Sequence, residues 1–300
     1  MPAESHWSLI VSKGPWVIKI LVSLGALFLF LRWFERMQVF HPSREIFTDD
    51  PVPGRKLEDV FLTTSDGLKI HGWFLPADVS SCRKDQVICL FHGNAGNLSS
   101  RGEMLATLLG TGANVFAIDY RGYGRSQGKP SEQGTYRDAE AAFDWLAARG
   151  FEPSKIIVHG ESLGGGVASH LASVRPVGGL ILQSTFTSIP DIGADLFPFL
   201  PVRWVGAMRY STRDRMGKIS VPVMVMHSRH DEIIPYAHGE RNFQAAREPK
   251  LFWELKAGHN TYLSEDEDNF VEGLKRYLER WHPCPPSDAT SLTPEPKTRK

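Results

Sequence analysis

The sequence predicts an α/β domain, a mostly parallel sheet with helices on both faces, preceded by one apolar N-terminal helix. Three observations carry that prediction. Short apolar runs alternate with segments of helical spacing through most of the chain, as in sheets buried on both sides. A glycine-flanked serine, Ser162, follows one such run and opens one such helix. Trp16 to Phe34 is apolar except for Lys19 and Arg32 near its ends.

That apolar stretch comes first in chain order, after a tail of residues 1–15. Its 19 residues span roughly 28 Å as a helix, close to the hydrocarbon thickness of a bilayer. Lys19 and Arg32 can snorkel, and Trp16, Trp33 and Phe34 suit the interface. A single-pass membrane anchor over 16–34 is the expectation. A cleaved signal peptide and a buried core helix compete with it, the former opposed by the lack of a small-x-small cleavage site. Lys13 and Lys19 precede the span, and Arg32, Arg36 and Arg44 follow it. That asymmetry favours the cytoplasmic side for the rest of the chain.

Residues 35–56, polar and Pro-rich from 41 on, read as a linker. The domain is expected over 57–281. Leu57–Thr63 and Lys69–Leu75 read as strands joined at Asp66-Gly67, a hairpin signal. After a polar loop come a strand at Val87–Phe91, a helix from Ser100 to about Leu109, a strand at Val115–Asp119 and a helix at Tyr136–Arg149. Ser100 and Glu103 are spaced as a capping box. Then follow a strand at Ile156–His159, a helix at Leu163–Val174, strands at Gly179–Leu182 and Val223–His227, a helix at Tyr236–Arg247 and a strand at Leu251–Leu255. Ser264 and Glu267 suggest a second capping box before a last helix, whose apolar residues Phe270, Val271, Leu274, Tyr277, Leu278 and Trp281 are expected on one face. Residues 282–300, rich in Pro, Ser, Thr and Lys, are expected to be a disordered tail.

Composition narrows the functions. Lys plus Arg and Asp plus Glu each number 34, so no electrostatic case exists for a nucleic-acid partner. The three cysteines, Cys82, Cys89 and Cys284, argue against a disulfide framework and add weight to the cytoplasmic side. No Cys/His spacing reads as a zinc site. Asn97-Leu98-Ser99 matches a glycosylation sequon but is expected to serve turn and cap chemistry.

Three distant stretches complete one hydrolytic constellation. Gly160-Glu161-Ser162-Leu163-Gly164 joins a strand to a helix. A turn that sharp lifts the serine hydroxyl off the sheet and crowds the residues two before and two after it, where only glycine fits. Gly165 and Gly166 let the helix approach the sheet. Asp231, in Ser228-Arg229-His230-Asp231-Glu232, and His259, in Ala257-Gly258-His259-Asn260, follow strands at the sheet edge where such folds bind ligands. Ser162 is the expected nucleophile, His259 its base and Asp231 the acid that orients the imidazole. Glu232 is the rival acid; His227, His230 and, less well placed, His238 are rival bases. His92-Gly93-Asn94-Ala95-Gly96-Asn97 follows the Val87–Phe91 strand. The amides of Asn94 and Leu163 are the expected oxyanion donors, with His92 bracing the loop.

The order Ser…Asp…His and these contexts resemble the α/β-hydrolase superfamily over about residues 57–281. His92 to Asn97, with Asp119-Tyr120-Arg121-Gly122-Tyr123-Gly124 after the next strand, is similar to a subgroup of membrane-associated serine hydrolases that includes protein depalmitoylases. The resemblance implies an α/β-hydrolase fold with serine-hydrolase chemistry, and hydrogen-bonded structural roles for Asp119 and Arg121. The chain departs from the depalmitoylases in carrying an apolar helix where they have a cysteine-rich N-terminus, so their substrate is not carried over.

An insertion at 185–220 contains Leu196, Phe197, Phe199, Leu200 and Trp204. It is expected either to form an apolar lid for an acyl chain or lipid, or to pack on the core. The resulting expectation is a membrane-anchored serine esterase or thioesterase that needs no metal or organic cofactor. A serine peptidase of prolyl-oligopeptidase type and a membrane-tethered scaffold with a silent site are the alternatives.

Overall fold

The computed structural model describes residues 7–285. Helix α1, Trp7–Val39, is longer than the expected anchor at both ends. Glu35, Arg36, Met37 and Gln38 are strong helix formers and carry it past Phe34. Its stretch Trp16–Val39 is long and apolar enough to cross a membrane.

The expected linker begins within α1 and then runs as a mostly exposed connection that touches the domain at a few points. Phe40 is buried, and His41–Pro42 pairs in parallel with Ala95–Gly96. Asn97 sits fully buried, donating its side-chain amide to the Ser43 and Glu45 carbonyls at 3.1 and 2.7 Å. Its Oδ1 accepts from the Ser99 amide at 2.9 Å. The sequon asparagine is therefore a cap and a brace.

The domain sheet has eight strands: β1 Glu58–Thr63, β2 Lys69–Leu75, β3 Val87–Phe91, β4 Asn114–Ile118, β5 Ile156–Glu161, β6 Gly179–Gln183, β7 Val223–Ser228 and β8 Lys250–Leu255. They lie in the order β8-β7-β6-β5-β3-β4-β2-β1. The β1–β2 and β2–β4 pairs are antiparallel and all others parallel. Gly67, at φ +82°, makes the turn between β1 and β2.

Alternation along β3 shows why the central strands are apolar throughout. Val87, Cys89 and Phe91 face a core shared with α3 (Glu132–Ala148) and α4 (Leu163–Val174). Ile88 and Leu90 face the opposite core, closed by α2 (Gly102–Leu109) and the final helix at Glu267–Trp281. Because β3 lies between β4 and β5, the winding reverses there and leaves a crevice at the strand carboxyl ends.

Neither expected capping box forms. Ser100 Oγ donates to the Asn97 carbonyl and Ser264 Oγ to the Thr261 carbonyl, each three residues back. Both serines already lie inside helical turns, Leu98–Ser100 and Tyr262–Glu265, so neither occupies the extended cap position whose oxygen accepts an N3 amide. The cysteine expectation is also corrected: Cys82 and Cys284 form a disulfide, Cα atoms 5.3 Å apart, tying the loop before β3 to the end of the last helix. Residues 202 apart in sequence give no local signal of pairing. Cys89 is a free thiol; burial in the sheet pushes it well above the ordinary thiol range. Of the expected disordered tail, residues 286–300 lie outside the described residues, while His282 is buried.

Candidate active site

β5 ends at Glu161 and α4 begins at Leu163, so Ser162 alone makes the corner, at φ +52° and ψ −114°. That conformation costs a non-glycine residue about 1–3 kcal/mol and persists where surrounding bonds enforce it. Here the Ser162 amide donates to the Gln183 carbonyl at 2.9 Å, and Thr185 Oγ1 donates to the Ser162 carbonyl at 2.5 Å. The flanking glycines are sterically required. A Cβ at Gly160 would lie 2.3 Å from the Gly164 carbonyl oxygen, and one at Gly164 would lie 1.9 Å from that of Phe91.

The structure brings Ser162, His259 and Asp231 into one line. His259 Nε2 is 3.2 Å from Ser162 Oγ, and its Nδ1 is 2.8 Å from Asp231 Oδ2. The other Asp231 oxygen accepts from the Ile233 and Ile234 amides at 3.0 and 2.7 Å. Burial pushes the Asp231 carboxyl up, but His259 and these bonds outweigh it and hold the acid below its ordinary range. An ionised Asp231 keeps an N–H on Nδ1 and turns Nε2 toward the serine as acceptor. Glu232 instead accepts the His259 amide at 2.9 Å and so holds the histidine backbone. His227 lies behind Asp231, buried and bonded to the Ile234 carbonyl. His230 is exposed, and His238 bonds Thr187 and Asp195.

The loop after β3 presents Asn94 to the same spot. The Asn94 carbonyl accepts from the His41 amide at 3.0 Å and from Tyr123 Oη at 2.7 Å, so the carbonyl side of this residue is held by two donors. Leu163 is the first residue of α4, whose leading amides have no partner within the helix. His92 donates from Nδ1 to the Gly93 carbonyl; burial keeps its ring below the ordinary histidine range, hence neutral. Asp119 accepts the Leu98 amide, and Arg121 pairs with Asp138 and Asp66, each at 2.8 Å.

Two polar residues escaped the sequence reading. Glu161 is buried beside Ser162, with Arg101 3.6 Å away. Burial pushes its carboxyl up, but Arg101 and the nearby imidazoles bring it below its ordinary range. The available signal was a charged residue on a buried strand, which demands a counter-charge.

A cavity of about 710 Å³ opens over Ser162 and His259. Leu196, Phe197 and Leu200 line it, whereas Phe199 and Trp204 are 97% and 89% exposed and point away. The insertion is thus divided. Helices α5 (Ile189–Leu196) and α6 (Val202–Val205) cover the site. Tyr210, Met216 and Ile219 pack in the core. Among the described residues no group of acidic, histidine or cysteine side chains could hold a metal.

Comparison with known proteins bears on this arrangement. A family profile described as alpha/beta hydrolase fold matches residues 86–201. The alpha/beta hydrolase domain-containing protein WAV2 of Arabidopsis thaliana is 36% identical over 75% of this chain and 80% of its own. The alpha/beta hydrolase domain-containing protein 17B of Xenopus laevis is 34% identical over 73% of this chain and 75% of its own. Among solved structures, the Pyrococcus furiosus esterase Pf2001 superposes with a TM-score of 0.66 over 80% of this chain and 99% of that one, at 22% identity, a likeness of fold.

Proposed function

The chain belongs to the α/β-hydrolase family, and from that premise we propose that it is a membrane-anchored serine hydrolase cleaving acyl esters or thioesters. The observation that carries this reading is the Ser162–His259–Asp231 line, at 3.2 and 2.8 Å, beneath an apolar-walled cavity. Ser162 Oγ attacks the acyl carbonyl while His259 takes its proton. The tetrahedral oxyanion is stabilised by the Asn94 and Leu163 amides. His259 passes the proton to the leaving alcohol or thiol, and the acyl group stays on Ser162. Water, deprotonated by His259, then releases the acid, so one ester and one water give one acid and one alcohol.

A matched series with one acyl group presented as ester, thioester and amide tests this. Ester or thioester turnover exceeding amide turnover by at least about 1000-fold is expected, beyond the roughly 10–200-fold that one methylene-sized pocket contact gives. Amide preference would favour the peptidase reading instead.

Anchoring is supported by the length and apolar surface of α1. For its sidedness the Cys82–Cys284 bridge outweighs a margin of three basic residues against two, because such bridges persist in oxidising compartments. We therefore set the catalytic domain on the oxidising side, opposite to the side the basic residues favour. Alkylation of protein denatured without reductant should modify Cys89 alone; modification of all three cysteines would restore the cytoplasmic assignment.

A further inference from the structure

We infer that the anchor helix is itself one wall of the acyl-chain chamber, and that the substrate is a long-chain lipid ester drawn sideways from the bilayer. This rests on the hydrolase and anchor readings above and names the substrate class of that site. Leu27, Leu31, Phe34 and Gln38 of α1 line the same cavity as Ser162 and His259. Their spacing of four, three and four residues puts them on one helix face.

Polar contacts latch this face to the lid. Glu35 accepts the Ala207 and Met208 amides at 2.8 and 2.9 Å and pairs with Arg32 at 3.2 Å, while Arg32 donates to the Val205 carbonyl. Immediately after the helix, the His41 amide holds the Asn94 carbonyl. The membrane segment is thus built into the site from the chamber mouth to the oxyanion loop.

The geometry sets the depth. From Leu27 to Val39 is about 18 Å of helix at 1.5 Å per residue, so the chamber wall climbs from the domain into the apolar part of α1. Leu27 and its neighbours Phe28 and Leu29 are 52%, 59% and 68% exposed, a surface matched to hydrocarbon. On the lid, Phe199 and Trp204 project outward, as aromatic residues do at a bilayer interface. A long acyl chain lying along Leu27, Leu31 and Phe34 would leave the bilayer without crossing water, and its ester would reach Ser162.

The test uses the full-length protein in phosphatidylcholine vesicles with 1-monoacylglycerols from C4 to C18. The readout is the C16:C4 ratio of kcat/KM, alongside fluorophosphonate labelling of Ser162. Wild type should favour C16 by at least about tenfold, the worth of roughly two buried methylenes. Leu31→Trp and, independently, Leu27→Trp should each lower that ratio at least about tenfold by filling the chamber. Leu27 is half-exposed, so that variant has room to fold. Leu29→Trp, on the opposite face, should keep the wild-type ratio. Labelled protein that cleaves C4 while both chamber variants retain the wild-type ratio would overturn the inference and leave the hydrolase reading intact. Folded wild type that neither labels nor cleaves any chain length would overturn both.

Discussion

Ser162→Ala is expected to lower acyl-ester turnover by at least about 10⁴-fold, a rise of roughly 5 kcal/mol in the barrier, while the protein stays folded. On the mechanism proposed, Ser162 and His259 act as one unit, so removing the hydroxyl forfeits the acyl-enzyme route altogether. The fold should survive because the corner is held by backbone bonds. The Ser162 amide and carbonyl are bound by Gln183 and Thr185, and the hydroxyl contacts only His259. Alanine meets the same left-handed backbone penalty as serine. Kinetics on a purified variant, with thermal unfolding as the fold control, check this. Substantial turnover by a folded Ser162→Ala protein would refute the nucleophile assignment.

The second large effect is on stability. Gly164→Ala would drive a methyl to 1.9 Å from the Phe91 carbonyl oxygen and 2.9 Å from that of His92. Both neighbours are backbone at the end of a central strand, so neither can swing away. The variant should lose about 4 kcal/mol, the range where sterically forced backbone shifts fall. That corresponds to a Tm drop of roughly 8–16 °C for a domain of this size. Activity should fall too, because the displaced strand end carries the Asn94 loop. Gly217→Ala, with nothing within 4 Å of its added methyl, is the control and should stay within about 0.5 kcal/mol. A Gly164→Ala Tm matching that control would mean the corner is looser than described.

Much of the site was legible because its signals are local. The strand-to-helix corner at Ser162 needs glycines two residues away on each side, and both are in the sequence. Lys69–Leu75, Val87–Phe91 and Leu163–Val174 were readable to the residue, because apolar runs bounded by turns or glycines announce themselves. The capping boxes failed because each serine was already inside a helical turn and not at a cap. The contacts of the connecting segment were not legible, because Ser43 and Glu45 offer only main-chain carbonyls to Asn97, and carbonyls carry no sequence signature.

Local pattern in the chain was enough for the mostly parallel α/β architecture, the three residues that meet, and an N-terminal helix apolar enough for a membrane. These follow from periodicity, steric demand and composition, which act over a few residues. Long-range packing alone settled that Glu232 turns to the His259 amide, that Cys82 finds Cys284, and that Phe199 and Trp204 leave the cavity while Leu27 and Leu31 enter it. Those outcomes depend on pairings across tens to hundreds of residues, where the direction of a side chain is set by packing rather than by its neighbours in sequence.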